Sequence, residues 1–121
     1  MKEEWKDIVG YEGLYQVSNL GRIKSLTTSK ILKQHKVGKG YLGVTLSKNS
    51  IQKYYRVHRL VLENFKPIDD MHLKIDGVSV LNVDHINNIK TDNRLKNLQW
   101  LSLGKNLEKA RVKKKFKKEK N

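Results

Sequence analysis

No cysteine occurs in the chain, which excludes disulfides and thiolate metal sites and fits an intracellular, cytoplasmic setting. No apolar run approaches the roughly 18 residues that a membrane span requires. No signal-peptide pattern opens the sequence. Aromatic residues are scarce, at 7%, and hydrophobic residues make up only 37%, so the core of this 121-residue chain is expected to be modest. Acidic residues are few as well, 12 against 26 Lys and Arg, leaving a net charge of +14. That exceeds what solubility needs and points to nucleic acid. With no membrane segment in sight, a membrane surface is the weaker partner.

What is present concentrates between Val83 and Asn106. An Asp84–His85 pair follows an apolar residue in a run that reads as a strand. An Asn-rich loop leads to a second strand, expected from Asn97 to Leu101. Ser102 then caps a helix whose first turn carries Asn106. In such a ββα unit Asp84 and Asn106 converge on one metal ion, and His85 points to the other side of its strand. The chemistry suits phosphodiester hydrolysis. A hard cation such as Mg²⁺ takes oxygen ligands, and a neutral imidazole can take a proton from an attacking water. Asn97 is placed to pin the loop by bonding backbone across it, holding His85 in position.

These residues also carry a resemblance. Asp84–His85, the run Asn93-Arg94-Leu95-Lys96-Asn97-Leu98-Gln99-Trp100 and the following Asn106 resemble the signature of the HNH (ββα-metal) nucleases, in particular the phage and intron-encoded homing endonucleases. The resemblance implies His85 as general base, Asp84 and Asn106 as metal ligands, and Asn97 as the loop-bracing residue. Asn rather than His at the third position implies one Mg²⁺ or Mn²⁺ ion. It further implies double-stranded DNA as substrate, cut to 5′-phosphate and 3′-hydroxyl ends. One site attacks one phosphodiester at a time, so a monomer or weak dimer that nicks one strand is expected.

Residues 3–25 read as short strands with turns at Gly10, Gly13 and Ser18-Asn19-Leu20-Gly21. They resemble the nuclease-associated modular motif found at the N-terminus of many HNH homing endonucleases. That implies a β-rich DNA-contacting element with Arg22 and Lys24 near phosphates. The other reading is a β-meander that merely covers the nuclease core. From Thr27 to Arg56 the pattern stays β, with basic residues on turns and outward positions. Tyr41, Tyr54 and Tyr55 are interleaved among them, either along a DNA groove or on a solvated sheet face.

Val57–Phe65 reads as a helix with Leu60, Val61 and Phe65 toward the core, ended by Pro67. His58 lies in it; a lone helical histidine is more often structural, but H-R-L-V is also part of the family pattern, so a role near the site is kept open. Arg56, Arg59, Arg94 and Lys105 are further expected DNA contacts. Close relatives pass from the proline to the Asp-His strand by a short acidic loop. Here residues 71–81 read instead as an extra hairpin with an Asp76-Gly77 turn. From Leu107 onward eight cationic residues face only Glu108 and Glu119, a net +6 that reads as a salt-sensitive nucleic-acid tail or a solvated helix end. Family members often add a helix-turn-helix reader, for which these 121 residues are not expected to have room.

The expected fold class is therefore α+β. A β-rich DNA-binding region is expected over 1–56, an HNH nuclease unit over 57–110 and a basic tail over 111–121, encoded by a phage or bacterium. The alternative is a non-catalytic basic DNA-binding module. A structural packaging or ribosome-associated protein would leave the Asp-His–Asn set unexplained.

Overall fold

The computed structural model describes residues 2–67, 74–75, 78–79 and 81–102. Four short antiparallel strands open it, β1 (Trp5–Asp7), β2 (Tyr15–Ser18), β3 (Ile23–Ser25) and β4 (Lys30–Ile31), joined in sequence order. Val17 pairs with Ile23 across β2 and β3, and neither is exposed at all. A one-residue slip would turn both outward, so this pair fixes the register. The turn between the two strands is held by Ser18, whose Oγ accepts from the amides of Leu20 and Arg22 at 3.1 Å each. Asn19 ties the same turn to the start of the chain, accepting from the Glu4 amide at 2.8 Å.

A second antiparallel sheet follows, β5 (His35–Val37), β6 (Tyr41–Lys48) and β7 (Ile51–Arg56). Asn49 and Ser50 make the two-residue turn between β6 and β7, with φ of 52° and 63°. Positive φ at both central positions is what a right-twisted hairpin demands. Along β6, Val44 and Leu46 are buried and Thr45 is exposed, the alternation of a half-buried strand.

Helix α1 (Val57–Phe65) lies over both sheets, touching β1, β2, β6 and β7, and also meets the later strands Leu81–His85 and Leu98–Ser102. Its Val57, Leu60, Val61 and Leu62 join Ile8, Val17, Ile23, Val44, Leu46 and Leu98 in one core. Each buried aliphatic side chain contributes roughly 1.5–3 kcal/mol of apolar burial, so α1 holds the parts together. The extra hairpin is present as β8 (Lys74–Ile75) and β9 (Val78–Ser79), paired Ile75 to Val78. Its Asp76-Gly77 turn lies outside the described residues.

The last pair is β10 (Leu81–His85) and β11 (Leu98–Ser102), antiparallel with Asp84 opposite Gln99 and His85 opposite Leu98. The second strand starts one residue later than the sequence pattern suggests. Asn97 is drawn into a 3₁₀ turn, Leu95–Asn97, because its amide and side chain are engaged by the loop. The fold is α+β, mostly strand with one helix among the described residues. The helix expected after Ser102 lies outside them. Among the described residues no helix is long and apolar enough to cross a membrane.

Candidate active site

The chain leaves β10 at His85 and turns at once, the amide of Asn88 donating to the His85 carbonyl at 2.8 Å. The loop to β11 is laced by its own polar side chains. Asn97 Nδ2 donates to Asn87 Oδ1 at 2.9 Å and to the Asp92 carbonyl at 2.8 Å. Its Oδ1 accepts from the Asn87 amide at 3.1 Å. Asp92 takes two bonds of 2.7 Å from the Arg94 guanidinium and one of 2.8 Å from Asn87 Nδ2. The Arg94 guanidinium, with help from Asn87, holds that carboxyl far below the usual carboxylate range. From outside, the N-terminal turn presses on the loop. The Leu95 amide donates to the Asn19 carbonyl at 2.7 Å. Gly21, at φ +87°, packs so closely that a Cβ there would lie 3.0 Å from the Asn93 carbonyl oxygen.

This lacing presents Asn93 to His85. His85 Nε2 lies 2.7 Å from Asn93 Oδ1, and both residues are buried. An amide oxygen can only accept, so Nε2 carries the hydrogen and the basic lone pair of the neutral ring falls on Nδ1. Strand alternation sets Asp84 beside exposed Gln99 on one face, with Gln99 Nε2 donating to Asp84 Oδ2 at 2.8 Å. His85 shares the opposite face with buried Leu98. At the strand end both nonetheless border one cleft of about 550 Å³.

The rest of that cleft comes from distant parts of the chain. Tyr41 from β6 and His58 from α1 meet His85 as a cluster of three rings. Their centroids are 5.2 Å (Tyr41–His58), 5.3 Å (His58–His85) and 6.0 Å (Tyr41–His85) apart. Arg56 and Lys90 sit over the Tyr41 ring at 4.8 and 5.0 Å, and Arg59 lines the wall while pairing with Glu63. Three cations and one carboxylate thus border the space. Burial, aided by the charges of His85, Arg59 and Arg56, pushes the His58 imidazole down to about 3.

Residues 3–47 match the family model described as the NUMOD4 motif. The chain is 40% identical over 106 residues to the DNA endonuclease I-HmuI of Bacillus phage SP01, covering 87% of this chain and 56% of that protein. An uncharacterized HNH endonuclease of Acanthamoeba polyphaga mimivirus, L247, is 39% identical over 112 residues, 89% of this chain and 26% of its own length. A solved structure described as DNA binding and cleavage by the HNH homing endonuclease I-HmuI superposes with a TM-score of 0.79 at 37% identity. It covers 91% of this chain and 59% of that one. The likeness to the HNH homing endonucleases therefore stands. The chain spans little more than half of I-HmuI and about a quarter of the mimivirus protein.

Of the HNH residues expected from sequence, Asp84 and His85 border the cleft and Asn97 lies behind it in the loop. Arg56, Arg59 and His58 line it too. Asn106 and Lys105 lie outside the described residues. Arg22, just before β3, and Lys24 within it lie over the Trp5 ring at 5.5 and 4.2 Å, with Arg22 also ion-paired to Glu3. Arg94 pairs with Asp92. The three tyrosines do not share a groove. Tyr41 lines the cleft, Tyr54 covers Gly43, and Tyr55 bonds the Tyr11 hydroxyl at 2.9 Å. Adjacent strand positions face opposite ways, which parts Tyr54 from Tyr55. Sequence reasoning gave no role to Asn93, Lys90 or the contact of Tyr41 with the histidines. Asn93 lies within the signature run, and that was the available signal.

The donor chemistry can be checked against a divalent ion. Among the described residues no three His, Cys, Asp or Glu side chains gather into a metal site. Of ligand-type side chains the cleft offers the Asp84 carboxylate and the imidazoles of His58 and His85, the latter bonded to Asn93, and no sulfur. A single carboxylate suits a hard ion that keeps waters and takes substrate phosphate oxygens.

Proposed function

We propose that the chain is a metal-dependent DNA endonuclease of the HNH homing type, hydrolysing one phosphodiester of double-stranded DNA at a time. The observation that carries this reading is the His85–Asn93 bond of 2.7 Å beside Asp84, in a cleft walled by Arg56, Arg59 and Lys90. Asn93 fixes the ring so that Nδ1 takes a proton from water. The water oxygen then bonds to phosphorus, and the bond from phosphorus to the 3′-oxygen breaks. That oxygen leaves as an alkoxide and collects a proton from solvent, giving 5′-phosphate and 3′-hydroxyl ends. Asp84 and Asn106 would hold one Mg²⁺ or Mn²⁺, which supplies charge neutralisation at the phosphate and the leaving oxygen. Asn97 keeps the loop, and through it Asn93, in place.

Arg56 and Arg59 hold the scissile strand, while Arg22, Lys24, Arg94 and Lys105 contact flanking phosphates. In this reading residues 1–56 form the DNA-contacting region, 57–110 the nuclease unit and 111–121 a basic tail. The chain acts as a monomer or weak dimer in the cytoplasm and leaves nicks.

The test is supercoiled plasmid incubated with Mg²⁺, Mn²⁺ or EDTA, followed by DNA ligase. Open circles formed only with the metal, and resealed by ligase, support the reading. A plasmid that shifts on a gel yet stays uncut with every ion would make the chain a DNA-binding module.

A further inference from the structure

Two imidazoles share the cleft, and the mechanism above uses one. His58 is only 7% exposed, yet its Nδ1 is fully buried with no hydrogen-bond partner among the described residues. A buried N–H without an acceptor is among the rarest arrangements in folded proteins; a buried lone pair is tolerated better. The neutral ring therefore keeps its lone pair on Nδ1 and its hydrogen on Nε2, the nitrogen that is not walled off.

That places a neutral N–H donor on the cleft wall, 5.3 Å from the His85 ring centre to centre. The surroundings favour an anion there. Arg56 and Arg59 flank His58 in the chain, and the first turn of α1 has no acidic residue and no side-chain cap. Taking the nuclease reading as its basis, we infer that His58 is a catalytic donor, its Nε2–H bonding a non-bridging oxygen of the scissile phosphate as His85 activates water. Burial holds the ring uncharged, so it remains a donor of constant charge beside a base that gains a proton. Because the ring also packs on Tyr41, a purely structural role is the rival to be tested.

Two variants separate the roles. His58→Phe keeps a ring between Tyr41 and His85 and removes the donor. His58→Gln keeps an N–H near the position of Nε2. Single-turnover cleavage, DNA affinity by gel shift and thermal melting are measured for both with Mg²⁺. The donor role predicts that His58→Phe melts and binds DNA like the wild type but cuts roughly 100-fold more slowly, the low end of the range for losing one positioned donor or acid. His58→Gln should recover most of that loss. Cutting by His58→Phe within twofold of the wild type overturns the inference. So does a loss that His58→Gln shares in full, which would make His58 a packing residue. Wild-type protein that binds but never cuts overturns the inference together with the nuclease reading, whereas either variant result overturns the inference alone.

Discussion

The loop from Ile86 to Asn97 and the ring cluster beneath it are neighbours built on opposite plans. In the loop, Asn87, Asp92, Arg94 and Asn97 satisfy one another through bonds of 2.7 to 3.1 Å. In the cluster His58 Nδ1, and where the loop meets it Asn93 Nδ2, are buried with no hydrogen-bond partner among the described residues. An unpartnered buried polar atom costs roughly 1–3 kcal/mol, so the cluster is the expensive half and the loop the scaffold that offsets it. Functional sites commonly carry such a cost, and a fully satisfied network beside one is what keeps its geometry single.

Substitutions in the two regions should therefore fail differently. The largest loss of stability belongs to Asn97→Ala. It frees the Asn87 amide and the Asp92 carbonyl together, and roughly 2–4 kcal/mol should vanish from urea melts, with cutting lost as well. Gly21→Ala comes next. A side chain at φ +87° that also meets the Asn93 backbone should cost about 1–3 kcal/mol and displace Asn93 from His85. Melting curves and cleavage rates falling together would bear this out, and an unchanged rate would uncouple the N-terminal turn from the site.

A third effect depends on pH. Burial first, then the charges of His85, Arg59 and Arg56, keep His58 neutral when folded, down to about 3 against an ordinary 6.5. Between those values the unfolded chain binds a proton that the folded chain refuses. Its contribution is complete above about pH 6.5 and is lost as pH falls, by at most ~1.4 kcal/mol per pH unit for one proton. Urea melts from pH 7 to 4 should show a shallower decline for His58→Phe than for the wild type. Parallel curves would remove the burial argument. The smallest change in stability, under about 1 kcal/mol, is expected for Asn93→Ala, whose amide nitrogen is already unpartnered. Its cleavage rate should nonetheless drop about 10- to 100-fold, since His85 loses the acceptor that sets its tautomer.

Much of this molecule could be read from local pattern. Val57–Phe65 declares a helix by its apolar spacing, and α1 has the same bounds. The Asp76-Gly77 pair marks a hairpin, and Ile75 does pair with Val78. Asp84 and His85 stand out because their chemistry is local to one strand. What escaped depends on partners far apart in the chain. Tyr41, His58 and His85 come from three elements and meet only when α1 packs on β6 and β10. The pairing of Arg22 with Glu3, 19 residues earlier, likewise appears only once the chain is folded. Asn93 reads in isolation as one more turn-forming Asn. Only the loop that Asn97 closes turns it toward the histidine.

The most direct test compares wild-type and His85→Ala protein on supercoiled plasmid with Mg²⁺, with a gel shift on the same samples. Equal DNA binding with cutting reduced roughly 10²- to 10⁴-fold is the predicted result, the loss expected for a general base. Plasmid cut as fast by His85→Ala as by the wild type would contradict the account at its centre.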